Sequence, residues 1–108
     1  MLNMRILNKS VTTEISQSEA KLVQAMQLLG DQTRFKIFKL LMTKQDLCVT
    51  DIAEKLEVTA SAISQHFRQF ELVGLVNKQR VGQKICYMLD EENDLVRNLM
   101  KITRKQFN

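Results

Sequence analysis

The sequence contains no proline and no tryptophan, and its 108 residues include only three glycines, two cysteines and one histidine. Proline and glycine interrupt helices and mark turns, so their scarcity predicts long helices joined by few turns. The length predicts one domain. Because one histidine and two cysteines are a small supply of soft metal ligands, no metal site and no cofactor are predicted.

Long apolar runs and a secretory leader are also missing. No run approaches the roughly 18 apolar residues of a membrane-spanning helix, so no membrane partner is expected. The first ten residues, MLNMRILNKS, have neither the apolar core nor the cleavage site of a signal peptide. We therefore expect a cytoplasmic protein, whose two cysteines would be thiols rather than a structural disulfide. The net charge of +4 is compatible with an anionic partner.

Capping residues and apolar spacing predict two helices near the N-terminus. The letters SQSE have the form of a capping box, with Ser16 as N-cap and Glu19 three residues later. Gly30 is expected to end this helix in a left-handed conformation. Asp31 is expected to cap a second helix, which contains the letters FKIFKLLM. This helix is apolar over most of its circumference. Such a helix belongs at the centre of a bundle.

Two further helices and a short extended segment follow. Residues 47–49 are apolar but too few for a helix, and could form a strand of a single bridge. Thr50 is expected to cap a short third helix over residues 51–56. After a turn, Thr59 is expected to cap a fourth helix over residues 60–73.

The apolar period changes to two after the fourth helix. Residues 75–80 and 84–89 are predicted strands, and Gly82 lies in the turn that joins them. A last helix is predicted from about residue 91 to residue 107. The predicted fold class is α+β, mostly α: four helices, a β-hairpin and a C-terminal helix.

The fourth helix is predicted to have two different faces. Ile63, Phe67 and Phe70 recur at helical spacing on its apolar side. A short helix, a tight turn and a longer two-faced helix form a helix-turn-helix, whose second helix enters the DNA major groove. The opposite face carries four side chains that can form hydrogen bonds, none of them acidic: Ser61, Ser64, Gln65 and Arg68.

Duplex DNA is the partner that these residue types fit. Glutamine can bind adenine and arginine guanine through two hydrogen bonds each, and serine can bind either base. Thr59 at the helix N-terminus is a candidate phosphate contact. The hairpin that follows is basic and is predicted to be a wing on the DNA backbone or minor groove. Its three cations are Lys78, Arg80 and Lys84.

Other functions remain open at this point. A polar helix face can simply be solvated, and a winged helix can bind proteins without binding duplex DNA. The sequence has no arrangement of nucleophile and base, no paired carboxylates and no glycine-rich phosphate loop, so no catalytic residues are assigned and an enzyme is not expected.

The stretch LGDQTRFKIFKLL, together with SAISQHFRQFELVGLV and GQKICYML, resembles the ArsR/SmtB family of winged helix-turn-helix repressors over about residues 22–90. The resemblance implies a DNA-binding transcriptional repressor that leaves its operator when a metal ion or a thiol oxidant binds. It adds His66 to the recognition positions Ser61, Ser64, Gln65 and Arg68, as part of the DNA surface rather than as a metal ligand.

The resemblance also implies a homodimer on an inverted-repeat operator. Residues 1–15 are expected to be an N-terminal arm, and residues 16–108 the winged helix-turn-helix domain. Within it, helices at 16–29 and 91–107 are expected to form the dimer interface, since the apolar stripe of the last helix has no obvious use in so small a core.

The two cysteines are the candidate sensor. Relatives often carry CVC at the start of the third helix, where this sequence reads LCVT, so Cys48 is kept and Thr50 replaces its partner. If the short segment 47–49 pairs with the wing, Cys86 could lie beside Cys48. A disulfide between them is possible if their Cα atoms come within about 7 Å of each other. Buried inert thiols, a redox pair and a metal site all remain possible readings. For a redox pair, oxidation is predicted to weaken operator binding.

Overall fold

The computed structural model describes residues 13–43 and 47–107. Over these residues the chain forms five helices and one antiparallel hairpin, as predicted. The proposed arm at residues 1–15 lies outside the described residues, except for its last three. The elements are α1 (Gln17–Leu29), α2 (Gln32–Met42), α3 (Val49–Leu56), α4 (Ala60–Val73), β1 (Val76–Val81), β2 (Lys84–Leu89) and α5 (Asp94–Phe107).

The capping box predicted for α1 is present. The Glu19 backbone N–H donates to Ser16 Oγ at 3.1 Å, and the Ser16 N–H donates to Glu19 Oε1 at 2.8 Å. The hydrogen bond from the Ser16 backbone N–H, with a further one from the Ser16 side chain, lowers the pKa of the Glu19 carboxyl, because both stabilise its charged form. The predicted N-cap of α2 is also present, with Asp31 Oδ2 accepting from the Arg34 N–H at 3.0 Å.

The prediction of a left-handed Gly30 is wrong. Gly30 has φ −74° and ψ −8°, which is right-handed. The chain passes from α1 to the Asp31 cap through this single residue, and a left-handed turn is not needed. Glycine fits for a different reason: a Cβ here would lie 3.2 Å from the carbonyl oxygen of Met26.

The start of α3 also differs from its prediction. The helix begins at Val49, two residues early, and its N-cap is Cys48 rather than Thr50. Asp51 explains the shift, because its Oδ2 accepts the Cys48 backbone N–H at 2.9 Å. The carboxylate in the first turn thus accepts the backbone N–H of the N-cap residue, which is the half of a capping box that the N3 side chain supplies.

The core lies between α2, α4 and the hairpin. Ile37 and Phe38 of α2 are fully buried, as expected for a central helix. The hairpin pairs in the register Val76↔Leu89 to Val81↔Lys84, and β1 begins one residue later than predicted. The fully buried large side chains are Phe38, Phe67, Phe70, Ile37, Ile52, Ile63, Leu75 and Val96.

The last helix begins at Asp94 rather than near residue 91. Asn93 precedes it, and its Oδ1 accepts the Leu95 N–H at 3.0 Å while its Nδ2 donates to the Gly74 carbonyl at 3.2 Å. The expectation that α5 has no use in the core is partly wrong. Val96 and Met100 are buried within the single chain, whereas Ile102 is 61% exposed.

Candidate nucleic-acid interface

The turn between α3 and α4 is fixed by backbone geometry and one cap. Glu57 adopts the left-handed conformation with φ 58°, and the Val58 N–H donates to the Ala53 carbonyl at 3.0 Å. Thr59 then caps α4 as predicted, since its Oγ1 accepts the Ala62 N–H at 3.1 Å. The turn and cap together set the direction in which α4 leaves α3.

The apolar face of α4 anchors the helix in the core. Ile63, Phe67 and Phe70 are each 0% exposed, and so is Ile52 on the adjoining face of α3. The two helices pack against each other. With one face of α4 fully buried, its rotation about its own axis is fixed, and the opposite face must point outward.

The outward face holds the residues predicted to read DNA. Ser61, Gln65 and Arg68 are exposed, and Ser64 is partly buried one turn along. In the described part of the chain, no side-chain hydrogen bond or ion pair engages Gln65 or Arg68. Their polar groups are therefore available to a partner.

His66 lies at the edge between the two faces, and Thr59 at the helix N-terminus. His66 is partly buried. The pKa of Asp31 is lowered mainly by the hydrogen bond from the Arg34 backbone N–H and next by the Arg34 guanidinium, with a smaller electrostatic contribution from His66. The expectation that His66 belongs to the DNA surface stays a prediction. Thr59 is exposed, although its hydroxyl oxygen is already used as the helix cap.

The wing is connected to α4 through Tyr87. Its ring stacks on Phe67 with centroids 4.0 Å apart and planes 8° apart, and its hydroxyl donates to Glu71 Oε1 at 3.2 Å. Burial raises the pKa of Tyr87, and the neighbouring Glu71 carboxylate raises it further. Neither role of Tyr87 was predicted from the sequence. The period of two in β2 was the available signal, because it could have marked Tyr87 as a core-facing residue.

The basic side chains of the wing lie beside this connection. Lys78, Arg80 and Lys84 are all exposed. Lys78 pairs with Tyr87 in the β-ladder, so one cation lies directly across from the residue that contacts α4. Gly82 at the tip has φ 64°, as the predicted turn requires. The recognition face and the basic wing thus belong to one connected unit.

The two cysteines lie together at the other edge of the wing. Cys48 and Cys86 form an isolated antiparallel bridge, and their sulfur atoms are joined in a disulfide. Their Cα atoms are 3.9 Å apart, within the limit of about 7 Å that a disulfide allows. The expectation of two thiols is therefore corrected, because a bridge between residues 38 positions apart places them side by side.

A buried helix-turn-helix with an outward polar face and an adjoining basic hairpin defines a winged helix-turn-helix DNA-binding protein. Sequence and structure comparisons agree. The profile of the family described as "Bacterial regulatory protein, arsR family" matches residues 31–78. The chain belongs to this ArsR family and is a DNA-binding transcriptional regulator.

Individual relatives fit this assignment. The chain is 28% identical over 87 residues to a cadmium resistance transcriptional regulatory protein, the CadC homolog of Staphylococcus aureus, spanning 81% of this chain and 72% of the relative. It is 30% identical over 76 residues to the transcriptional activator HlyU of Vibrio cholerae, which spans 70% of this chain and 69% of that protein. The solved structure of that HlyU superposes with a TM-score of 0.75 at 25% identity, covering 86% and 98% of the two chains.

None of the helices over residues 13–43 and 47–107 is long and apolar enough to cross a membrane. The same residues contain no group of three or more His, Cys, Asp or Glu side chains placed to hold a metal ion.

Proposed function

We propose that the chain acts in the cytoplasm as a homodimeric repressor on an inverted-repeat operator. In this proposal α4 enters the major groove and the wing contacts the adjacent backbone. The observation that carries it is the exposed polar face of α4 on a helix whose opposite face is fully buried. The major-groove residues are Ser61, Ser64, Gln65, His66 and Arg68, and the backbone contacts are Thr59, Lys78, Arg80 and Lys84.

Selection of duplexes from a random-sequence pool by the reduced protein tests the proposal. A dimer with two α4 helices should enrich two half-sites in inverted orientation, with centres about 10 base pairs or a multiple of it apart. Enrichment of one isolated half-site would contradict the dimer. Failure to retain any duplex at low salt would contradict operator binding and favour a protein-interaction module.

The dimer part of the proposal is supported by apolar side chains that the single chain leaves in solvent. On α1, Leu22, Val23 and Met26 are 39%, 42% and 60% exposed, although Ala25 on the same helix is fully buried. Ile102 on α5 is 61% exposed. Two-fold contact between copies would bury these helices, since the same patch serves both subunits in a symmetric dimer.

Glutamate in place of Met26 or Ile102 is expected to raise the dimer dissociation constant at least tenfold, because a buried carboxylate costs several kcal/mol. Sedimentation equilibrium measures this constant. Leu72→Glu is the matched control, since Leu72 is 86% exposed on α4. Equal association of all three variants would place the interface elsewhere.

Release by a chemical signal is the last part of the proposal. Of the two signals weighed from the sequence, thiol oxidation is supported by the direct contact of Cys48 with Cys86. Repression rather than activation rests on the family resemblance, while the related HlyU is named as an activator. A reporter gene placed behind the selected operator distinguishes the two: repression predicts lower expression when this protein is supplied.

A further inference from the structure

Tyr87 is the last buried residue before the tip of the wing on the face that packs against α4. It is 7% exposed, whereas Lys78 opposite it and all residues from 79 to 84 are exposed. The outer half of the hairpin therefore has no buried side chain of its own beyond this point on that face. The placement of Tyr87 sets the direction in which the outer half leaves the core.

Two contacts attach Tyr87 to α4, and they have different effects. The stack on Phe67, with ring planes 8° apart, buries both rings, but parallel rings can still slide and turn in their common plane. The hydroxyl at the far end of the ring donates to Glu71 Oε1 at 3.2 Å. Because Glu71 lies one helical turn beyond Phe67, the ring is held at two points along α4, which fixes its direction.

The hydrogen bond between Tyr87 and Glu71 has no counterpart at this boundary. Among the side-chain hydrogen bonds of the described residues, it alone joins a wing strand to α4. Burial raises the pKa of Tyr87 and the Glu71 carboxylate raises it further, so the hydroxyl keeps its proton and remains a donor at neutral pH. A carboxylate acceptor also makes a stronger hydrogen bond than a neutral acceptor.

Glu71 is otherwise an unfavourable residue at its position. It is the one acidic residue of α4 and lies three positions after Arg68, on a helix that is to approach phosphates. A carboxylate there repels the DNA backbone and lowers affinity. An acid at this position is explained if its effect through Tyr87 outweighs that repulsion.

The direction of Tyr87 is passed on to the cations of the wing. Lys78 pairs with Tyr87 in the β-ladder, so the two side chains share a face with Cβ atoms about 5 Å apart. Arg80 is on the same face about 7 Å further along β1. A tilt of about 10° at Tyr87 would move Arg80 by about 1 Å at that spacing. Binding contacts require placement within about 0.5 Å, so such a tilt would weaken the phosphate contacts.

We propose that Glu71 and Tyr87 are positioning residues for DNA binding, whose hydrogen bond directs the cations of the wing toward the phosphate backbone. The proposal rests on the proposed function, in which α4 enters the major groove and the wing contacts the adjacent backbone. Neither residue has to touch DNA: Tyr87 is buried, and Glu71 acts through Tyr87.

Tyr87→Phe tests the proposal, because it keeps the stacked ring and removes only the donor. We expect the dissociation constant to rise about fivefold, on the selected duplex and on its single-base variants alike, as for the loss of one hydrogen bond to a charged group. The negative slope of log affinity against log salt should become smaller in magnitude by about one. Fluorescence anisotropy at several salt concentrations measures both, and urea denaturation establishes that the variant is folded under the assay conditions.

Two comparisons isolate the hydrogen bond from charge and from stability. Glu71→Ala and Glu71→Gln both remove the charge, but only alanine removes the acceptor, so the alanine variant should bind about fivefold more weakly than the glutamine variant. Tyr87→Phe should cause no further loss when it is added to Lys78→Ala/Arg80→Ala, since the cations that it positions are already missing.

An unchanged salt slope for folded Tyr87→Phe, or equal binding by the two Glu71 variants, would overturn the positioning role while leaving DNA binding intact. A further loss on adding Tyr87→Phe to the variant without the two wing cations would overturn it as well. A loss confined to particular base pairs would mean that α4 had moved rather than the wing, and the proposal would also be wrong. If the unaltered protein selects no duplex, the proposed function fails instead.

Discussion

Alanine in place of Phe67 is expected to lower the free energy of unfolding by about 3–5 kcal/mol. Phe67 is 0% exposed and contacts two other rings, Tyr87 at 4.0 Å and Phe70 at 5.8 Å between centroids. Truncation would remove the buried ring and leave a cavity between α4 and the wing. Because small domains are stable by only about 5–15 kcal/mol, this loss would bring the protein close to unfolding.

Leu72→Ala is the matched control for this prediction. Leu72 is on the same helix and is 86% exposed, so its truncation should change the stability by no more than about 0.5 kcal/mol. Urea denaturation followed by circular dichroism measures both variants. Protein concentration must be constant and a reductant present, since dimerisation and the disulfide both add to apparent stability. Equal losses from the two variants would mean that α4 is not anchored through Phe67.

Local sequence signals predicted the parts of the fold that depend on neighbouring residues. The capping box at Ser16, the cap at Thr59 and the turn at Gly82 each require only residues within about three positions, and each is present. The burial of Ile63 and Phe67 followed equally from helical spacing. Rules of short range were sufficient for these features.

The errors occurred where two local rules competed. Thr50 is the better N-cap by residue type, but Asp51 accepts the backbone N–H of Cys48 and the helix starts earlier. Gly30 fits the usual left-handed helix end, but the immediate Asp31 cap leads the chain directly into α2. In both cases a hydrogen bond to the side chain of the next residue, Asp51 or Asp31, decided the backbone conformation, and the type of Thr50 or Gly30 did not.

The features that sequence could not give are those that depend on packing between distant segments. The contact of Tyr87 with Phe67 and Glu71 joins the wing to α4 across 16 to 20 positions, as their residue numbers show. The Cys48–Cys86 bond spans 38 positions. The sequence suggested that the cysteines could be neighbours, but only the position of β2 against the segment before α3 decided it.

Alanine in place of Arg68 is expected to remove base discrimination rather than general affinity. Arg68 is exposed on the outward face of α4, where a guanidinium can bind the O6 and N7 atoms of guanine. Loss of one such contact should cost about 1–3 kcal/mol on the selected duplex and nearly nothing on a duplex with that base pair changed. Gln65→Ala should behave in the same way at a different base pair, with adenine as the expected base.

Lys78→Ala is expected to have the opposite signature. Loss of a wing lysine that contacts a phosphate should weaken binding to all duplexes by a similar factor. It should also reduce the magnitude of the negative slope of log affinity against log salt by about one. Lys101→Ala on α5 removes the same charge outside the helix-turn-helix and the wing, and should leave the salt slope unchanged. Fluorescence anisotropy at several salt concentrations, on the selected duplex and its single-base variants, separates these effects.

The comparison between Arg68 and Lys78 decides how the interface is divided. Both are exposed cations, but Arg68 lies on the recognition helix and Lys78 lies across from Tyr87 on the wing. If Arg68→Ala weakened every duplex equally, Arg68 would be a backbone contact, and α4 would not be inserted as its buried face implies. If Lys78→Ala changed the preferred sequence, the wing would be reading bases. Base discrimination lost only with α4 variants, and salt dependence reduced only with wing variants, would support the division into a reading helix and a positioning wing.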